Sequence, residues 1–213
     1  MKRALGMACI LALLLCACTN EQVIRPPLAQ EEIWRLRGEY KTHVLNSGGL
    51  LPSAPPVLDR LPACDCLAIV TVESHAQIEN VPDAVAMPGQ TQSYVIKVEE
   101  IIWVPVVERG TKRVLPKQGE TYTFSYYGPI NRYDMFLKEG NRLVLSLNME
   151  HPGQNAILGK DILINPGASF YLTQDDYILS VYEAPEYDEI DFTGMSIEGF
   201  IAWLDDFNEG EWR

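Results

Sequence analysis

Apolar positions recur at helical spacing near both ends of the chain and alternate between them. In residues 30–46, Ile33, Leu36, Tyr40 and Val44 fall on one face of a helix. Glu31 and Glu32 occupy its first turn, where the macrodipole favours acids, and Gly48-Gly49 closes it, although Gly38 weakens its interior. Residues 50–63 hold four prolines and read as a linker or extended arm. A short β-branched strand follows at Leu67 to Val72, then a polar, turn-rich loop over 75–92. Tyr94 to Val98 alternates and continues into Ile101 to Val104, which requires a bulge at Glu99-Glu100. Pro105 marks an edge or irregular end, and Glu108 to Lys112 a turn. Thr121 to Tyr126 alternates with its aromatics on one face. Lys138 to Asn141 reads as a turn before a strand at Arg142 to Leu147. Phe170 to Leu172 and Tyr177 to Tyr182 flank Gln174-Asp175-Asp176 as a hairpin. The clearest helix is Ser196 to Asn208, where Ile197, Phe200, Ile201, Leu204 and Phe207 form an apolar stripe. Ser196 caps it, Glu198 suits its first turn, and Gly210 ends it.

Five or six short strands followed by a helix predict a mainly β fold. The expected architecture is a small antiparallel barrel or a sandwich, with a packed C-terminal helix and an N-terminal helix and linker. The folded part, roughly 60–208, is long enough for one core.

The order of these segments resembles the OB-fold-like barrel of tissue inhibitors of metalloproteinases and netrin-like modules over about residues 64–183. The resemblance lies in the strand at Leu67 to Val72, Tyr94 to Ile101 with its Val98-Glu99 end, and Gly119 to Phe124. It continues through Leu137 to Leu147 with Glu139-Gly140, and the late hairpin Tyr171 to Val181. It implies a barrel and, as an expectation, inhibition of an extracellular protease. One departure bears on mechanism. The animal inhibitors begin with Cys-x-Cys and bind the protease zinc through its free amine, whereas Cys64-Asp65-Cys66 is internal here.

The first residues carry an address. Lys2 and Arg3 precede an apolar run from Ala4 to Leu15, shorter than the roughly 20 residues of a membrane span. The run ends in Leu15-Cys16-Ala17-Cys18, which resembles the lipobox of bacterial lipoproteins. The resemblance implies cleavage after Ala17, a diacylglyceryl group and an acyl chain on Cys18, and attachment to the extracytoplasmic face of the cell membrane or outer membrane. The expected divisions are a signal peptide at 1–17 and a lipidated tether, short helix and Pro-rich linker at 18–63. A barrel domain at 64–183 and an acidic linker with a helix at 184–213 complete them. Residues 19–29, polar and carrying Pro26-Pro27, read as the tether.

Composition agrees with an ordinary globular domain, but charge narrows its partners. The chain carries 17 Lys and Arg against 29 Asp and Glu. Loss of residues 1–17 removes two bases and leaves a net charge of −14. Nucleic acid is excluded as a partner by that balance, and electrostatic attraction to an anionic membrane cannot replace the lipid.

Candidate chemistry is sparse. Cys64 and Cys66 are the cysteines left after Cys9 and Cys16 depart and Cys18 is acylated. Three readings are open: a structural thiol pair, a strained redox disulfide, or part of a metal site with His75, for which the ligand set is short. His43, His75 and His151 are scattered. Neither a nucleophile elbow, a phosphate-binding Gly-rich loop nor a His-Glu-x-x-His segment occurs, so no catalytic residue or cofactor is assigned. The acids Glu183, Glu186, Asp188, Glu189 and Asp191 read as a solvated linker. Tyr122, Phe124, Tyr126 and Tyr127 could stack on a glycan, as aromatics on OB-type barrels do, or pack across strands in a core. The expected function is a lipid-anchored binding or assembly module for an envelope protein or glycan. The alternatives are a thiol-redox or other enzyme using Cys64 and Cys66, and a protease inhibitor.

Overall fold

The structure, a computed structural model, describes residues 24–44, 61, 64–78, 90–106, 114–128, 136–149, 162–183 and 191–210. Its elements run α1 (Gln30–Leu36), β1 (His43–Val44), β2 (Cys66–Ile78), β3 (Gln90–Trp103), β4 (Thr121–Gly128), β5 (Arg142–Met149), β6 (Ile162–Leu172), β7 (Ile178–Ser180), β8 (Tyr182–Glu183) and α2 (Ile197–Gly210).

The domain is mainly β. Six strands form one antiparallel sheet in the order β4-β3-β2-β5-β6-β7, and the sheet curls so that β4 approaches β6. A sandwich of two large sheets is therefore not the architecture. The remaining pair, β1 with β8, is parallel and two residues long.

Both faces of the sheet are covered. Strand β5 shows it most directly, because Leu143 to Leu147 are all buried. Leu143, Leu145 and Leu147 join Cys66, Ala68, Val70, Val72, Tyr94 and Ile96 in the cluster inside the curl. Val144 faces the opposite cluster with Leu67, Ile69, Phe170 and the helix residues Phe200 and Leu204. Helix α2 covers that second face through the predicted stripe. Ile197, Phe200 and Leu204 are buried, and Ile201 and Phe207 pack at its border. The Ser196 hydroxyl accepts the Gly199 N–H at 3.2 Å, so the predicted cap is in place. Phe200 lies edge-on to Phe170 and Phe192 at 5.3 and 5.2 Å between ring centres. Each such ring buried in place of water contributes roughly 1.5–3 kcal/mol.

Two irregularities set which side chains meet. Ile69 pairs with Glu100 and Val70 with Val98, leaving Glu99 as the extra residue of a bulge. That odd residue lets Val98 and Ile101 both face the inner cluster. In β6, Leu145 pairs with Ser169 but Ser146 with Asn165, so three extra residues containing Pro166-Gly167 intervene. An odd insertion reverses the faces: Ile162 and Ile164 point into the curl, whereas Ala168, Phe170 and Leu172 point towards α2.

Several boundaries differ from expectation. The first helix stops at Leu36 rather than continuing to Asn46. The chain turns through Arg37 and Gly38, and the Arg37 guanidinium donates to the Ser180 carbonyl at 2.8 Å. Ile33, Leu36 and Tyr40 nevertheless all pack on the inner cluster. The β2–β3 hairpin extends to the pair Ile78 and Thr91, into the stretch expected to be loop. The turn read at Glu108 to Lys112 lies outside the described residues, as do the acids Glu186, Asp188 and Glu189.

Candidate functional site

The aromatic face of β4 turns inward. Phe124 is buried against Tyr94, with ring centres 6.1 Å apart, because the curl of the sheet closes over this side of the strand. Phe124 is thus a core residue, not part of a stacking platform. Tyr122 is half-buried on the same cluster. Its hydroxyl accepts the Lys117 N–H at 2.8 Å and donates to Glu120 at 3.2 Å, which fixes the turn before β4. Tyr126 and Tyr127 continue the strand opposite Gln92 and Thr91, and their side chains lie outside the described residues.

Cys64-Asp65-Cys66 is a structural clamp. The Asp65 carboxylate accepts the Met149 N–H at 2.8 Å, and its own N–H donates to the Leu147 carbonyl and the Asn148 side chain. The turn entering β2 is thereby tied to the end of β5. Cys64 and Cys66 are both buried thiols, but they enter different clusters. The Cys64 thiol donates to the Leu61 carbonyl at 3.0 Å. Among the described residues, no three His, Cys, Asp or Glu side chains converge as metal ligands.

The N-terminal segment is the unexpected feature. Residues 24–29, read as tether, are docked on the domain. The Leu28 N–H donates to the Gly194 carbonyl at 2.8 Å, and Leu28 packs on the inner cluster. Pro26 and Pro27 lack N–H groups, so an extended dipeptide lies there without stranding donors. Arg25 fastens the segment. Its guanidinium meets the Glu198 carboxylate at 3.0 Å, donates to the Asp175 carbonyl at 2.6 Å, and stacks over the Tyr177 ring at 4.9 Å. Donation to the Glu198 carboxylate raises the Arg25 pKa. Burial opposes ionisation of Glu198, but backbone N–H bonding at the start of α2, with Arg25 and Ser196, outweighs it and holds the carboxyl below its usual range. Ile33 extends the docking by packing directly over Gly194. No local pattern in residues 24–29 announces these partners, which lie far along the chain.

Further along the segment, His43 pairs with Tyr182 between β1 and β8. Its Nε2 is buried without a hydrogen-bond partner among the described residues. Burial first, then the charges of Lys138, Lys41 and Arg37, lower its pKa. Tyr171 donates its hydroxyl to the Lys41 carbonyl at 3.2 Å, and burial pushes its pKa up to about 12. His75 stacks on Tyr94 at 5.0 Å, and His151 lies outside the described residues.

A polar network crosses the α2 side of the sheet. Arg142 bridges Glu99 at the bulge, 3.0 Å away, and Asp176 in the β6–β7 turn, 3.1 Å away. Thr71 donates to the same Glu99 carboxylate. Burial opposes ionisation of Glu99, yet the Thr71 and Arg142 hydrogen bonds outweigh it and lower its pKa. Arg142 bridges both carboxylates, so the network reads as bracing for the bulge and turn.

Cys18 precedes the described residues. No helix among the described residues is long and apolar enough to cross a membrane. No protein-family model, no curated protein and no solved structure matches this chain.

Proposed function

We propose that this chain is a lipid-anchored module on the extracytoplasmic face of a bacterial membrane, where it binds an envelope protein or glycan without catalysing a reaction. The carrying observation is the N-terminal arrangement. Leu15-Cys16-Ala17-Cys18 resembles a lipobox, and only six residues further on, at Ile24, the chain is already docked on the domain. Six residues reach at most about 20 Å. A lipid on Cys18 would therefore hold the domain against the membrane rather than on a long leash. The covered faces of the sheet and the Arg142 bridge between Glu99 and Asp176 support a scaffold reading.

The test is intact-mass analysis of the protein extracted from bacterial membranes, beside Cys18→Ala. The expected result is a mature chain starting at Cys18 with diacylglyceryl and acyl additions, and loss of membrane retention in the variant. In-cell cross-linking of the lipidated protein should then enrich one envelope component. An unmodified N-terminus at another position refutes the anchor. An anchored protein that enriches no protein or glycan refutes the binding role.

A further inference from the structure

A protein held by a short tether must present some surface to the bilayer, and the structure favours one. Among the described residues, Ile24, Trp34, Val104, Val106, Val114 and Leu115 are large apolar side chains left exposed. Two of them, Ile24 and Trp34, belong to the docked segment nearest the anchor, and Trp34 is 68% exposed. The next helical position behind it, Ile33, is buried against Gly194, so α1 is fixed with Trp34 outside. Arg25 and Arg35 both lie beside the β6–β7 turn: Arg25 bonds the Asp175 carbonyl, and Arg35 feels the Asp175 charge. The start of the segment is thus held at the β6–β7 turn, and α1 follows it with Trp34 exposed.

Charge opposes this surface least. Residues 24–44 hold four bases and three acids, a net of +1, whereas residues 45–213 hold eleven bases and twenty-five acids, a net of −14. With Glu198 paired to Arg25 this surface is about neutral, whereas an anionic lipid surface repels the strongly acidic remainder of the protein. Within that segment Glu32 is already paired with Arg35, which lowers its carboxyl pKa. An indole, with an apolar ring and one N–H, suits the headgroup level of a bilayer.

We infer that the surface formed by residues 24–44 faces the lipid bilayer, with the Trp34 ring seated at the headgroup boundary. The inference rests on the lipid anchor proposed above, and it adds an orientation that the anchor alone does not specify. The curled sheet and α2 are then held above this segment, and a partner meets the domain from the opposite side.

The test uses the full lipidated protein reconstituted in phosphatidylcholine–phosphatidylglycerol vesicles, plain or with brominated acyl chains. Tryptophan emission is read for the wild type and Trp34→Phe. Their difference isolates Trp34 from Trp103, Trp203 and Trp212. Because Trp34 is exposed, the substitution leaves the core intact. The expected result is a blue-shifted difference emission that is largely lost in brominated vesicles. Equal difference emission in both vesicle types, from protein that carries its lipid by mass and floats with the vesicles, overturns the inference and leaves the anchor standing. Protein without lipid on Cys18 overturns the anchor, and this orientation with it.

Discussion

Gly194→Ala should loosen the N-terminal segment from the domain. Gly194 has φ +86°, in the left-handed region that side chains rarely adopt. Its N–H donates to the Ile178 carbonyl and its own carbonyl accepts the Leu28 N–H, both at 2.8 Å, so the backbone cannot rotate away without breaking both bonds. Holding Ala there costs about 1–2 kcal/mol. A Cβ would also lie 2.8 Å from Ile33 Cδ1, 3.2 Å from Ile33 Cγ1 and 3.4 Å from Leu28 Cβ. The Ile33 tip can yield, but only within a packed cluster, at a further cost of about 1 kcal/mol or more. The sum is roughly 2–4 kcal/mol, a large part of the stability of a small domain. Urea denaturation measures the global loss, and hydrogen exchange at the Leu28 amide measures release of the segment. Ile33→Val removes Cδ1 and so relieves the worst contact while leaving the backbone strain. The double variant should therefore recover about 1 kcal/mol relative to additivity. A Gly194→Ala protein within about 0.5 kcal/mol of wild type, with unchanged Leu28 exchange, refutes the docking argument.

Three further outcomes follow from titratable and thiol groups. His43 has its pKa lowered in the folded state, so the unfolded chain takes up the proton first. Its contribution is present above the ordinary value of 6.5 and is lost as pH falls below it, levelling off once pH is under the folded value. The urea midpoint of wild type should fall across this window more than that of His43→Gln; parallel profiles would show that the site does not titrate as described. The carboxylates Glu99 and Glu198, whose pKa values are lowered, lose their contributions separately, below 4.5. Cys64 and Cys66, buried in different clusters, should resist a thiol reagent in the native protein and both react after denaturation. Rapid native labelling of either would favour the thiol-redox alternative.

What could be read from the sequence depended on whether the decisive contacts were local. The bulge at Glu99 was legible because two adjacent acids break an apolar alternation, and Val98 and Ile101 can share a face only across an odd residue. The α2 stripe and its Ser196 cap were legible for the same reason, since one turn of helix contains both signal and partner. The inward turn of Phe124 was legible only as one of two readings. Alternation along β4 states that its aromatics share a face, but the curl of five other strands decides whether that face is wet. The β6 face reversal was hidden similarly, because a three-residue insertion has meaning only against the register of β5. The N-terminal segment was the hardest case. Arg25-Pro26-Pro27 has the composition of a tether, and an extended proline pair looks alike whether solvated or docked. The difference lies in Gly194, a residue without a side chain to occupy the space of Ile33, and in Glu198, which needs a cation at the start of α2. Both sit in the last elements of the fold, so the segment's place is specified only when the chain's two ends meet. That closure ties residues 25–28 to the start of α2, and it makes the Arg25 and Gly194 contacts the link on which the placement of the N-terminal segment depends.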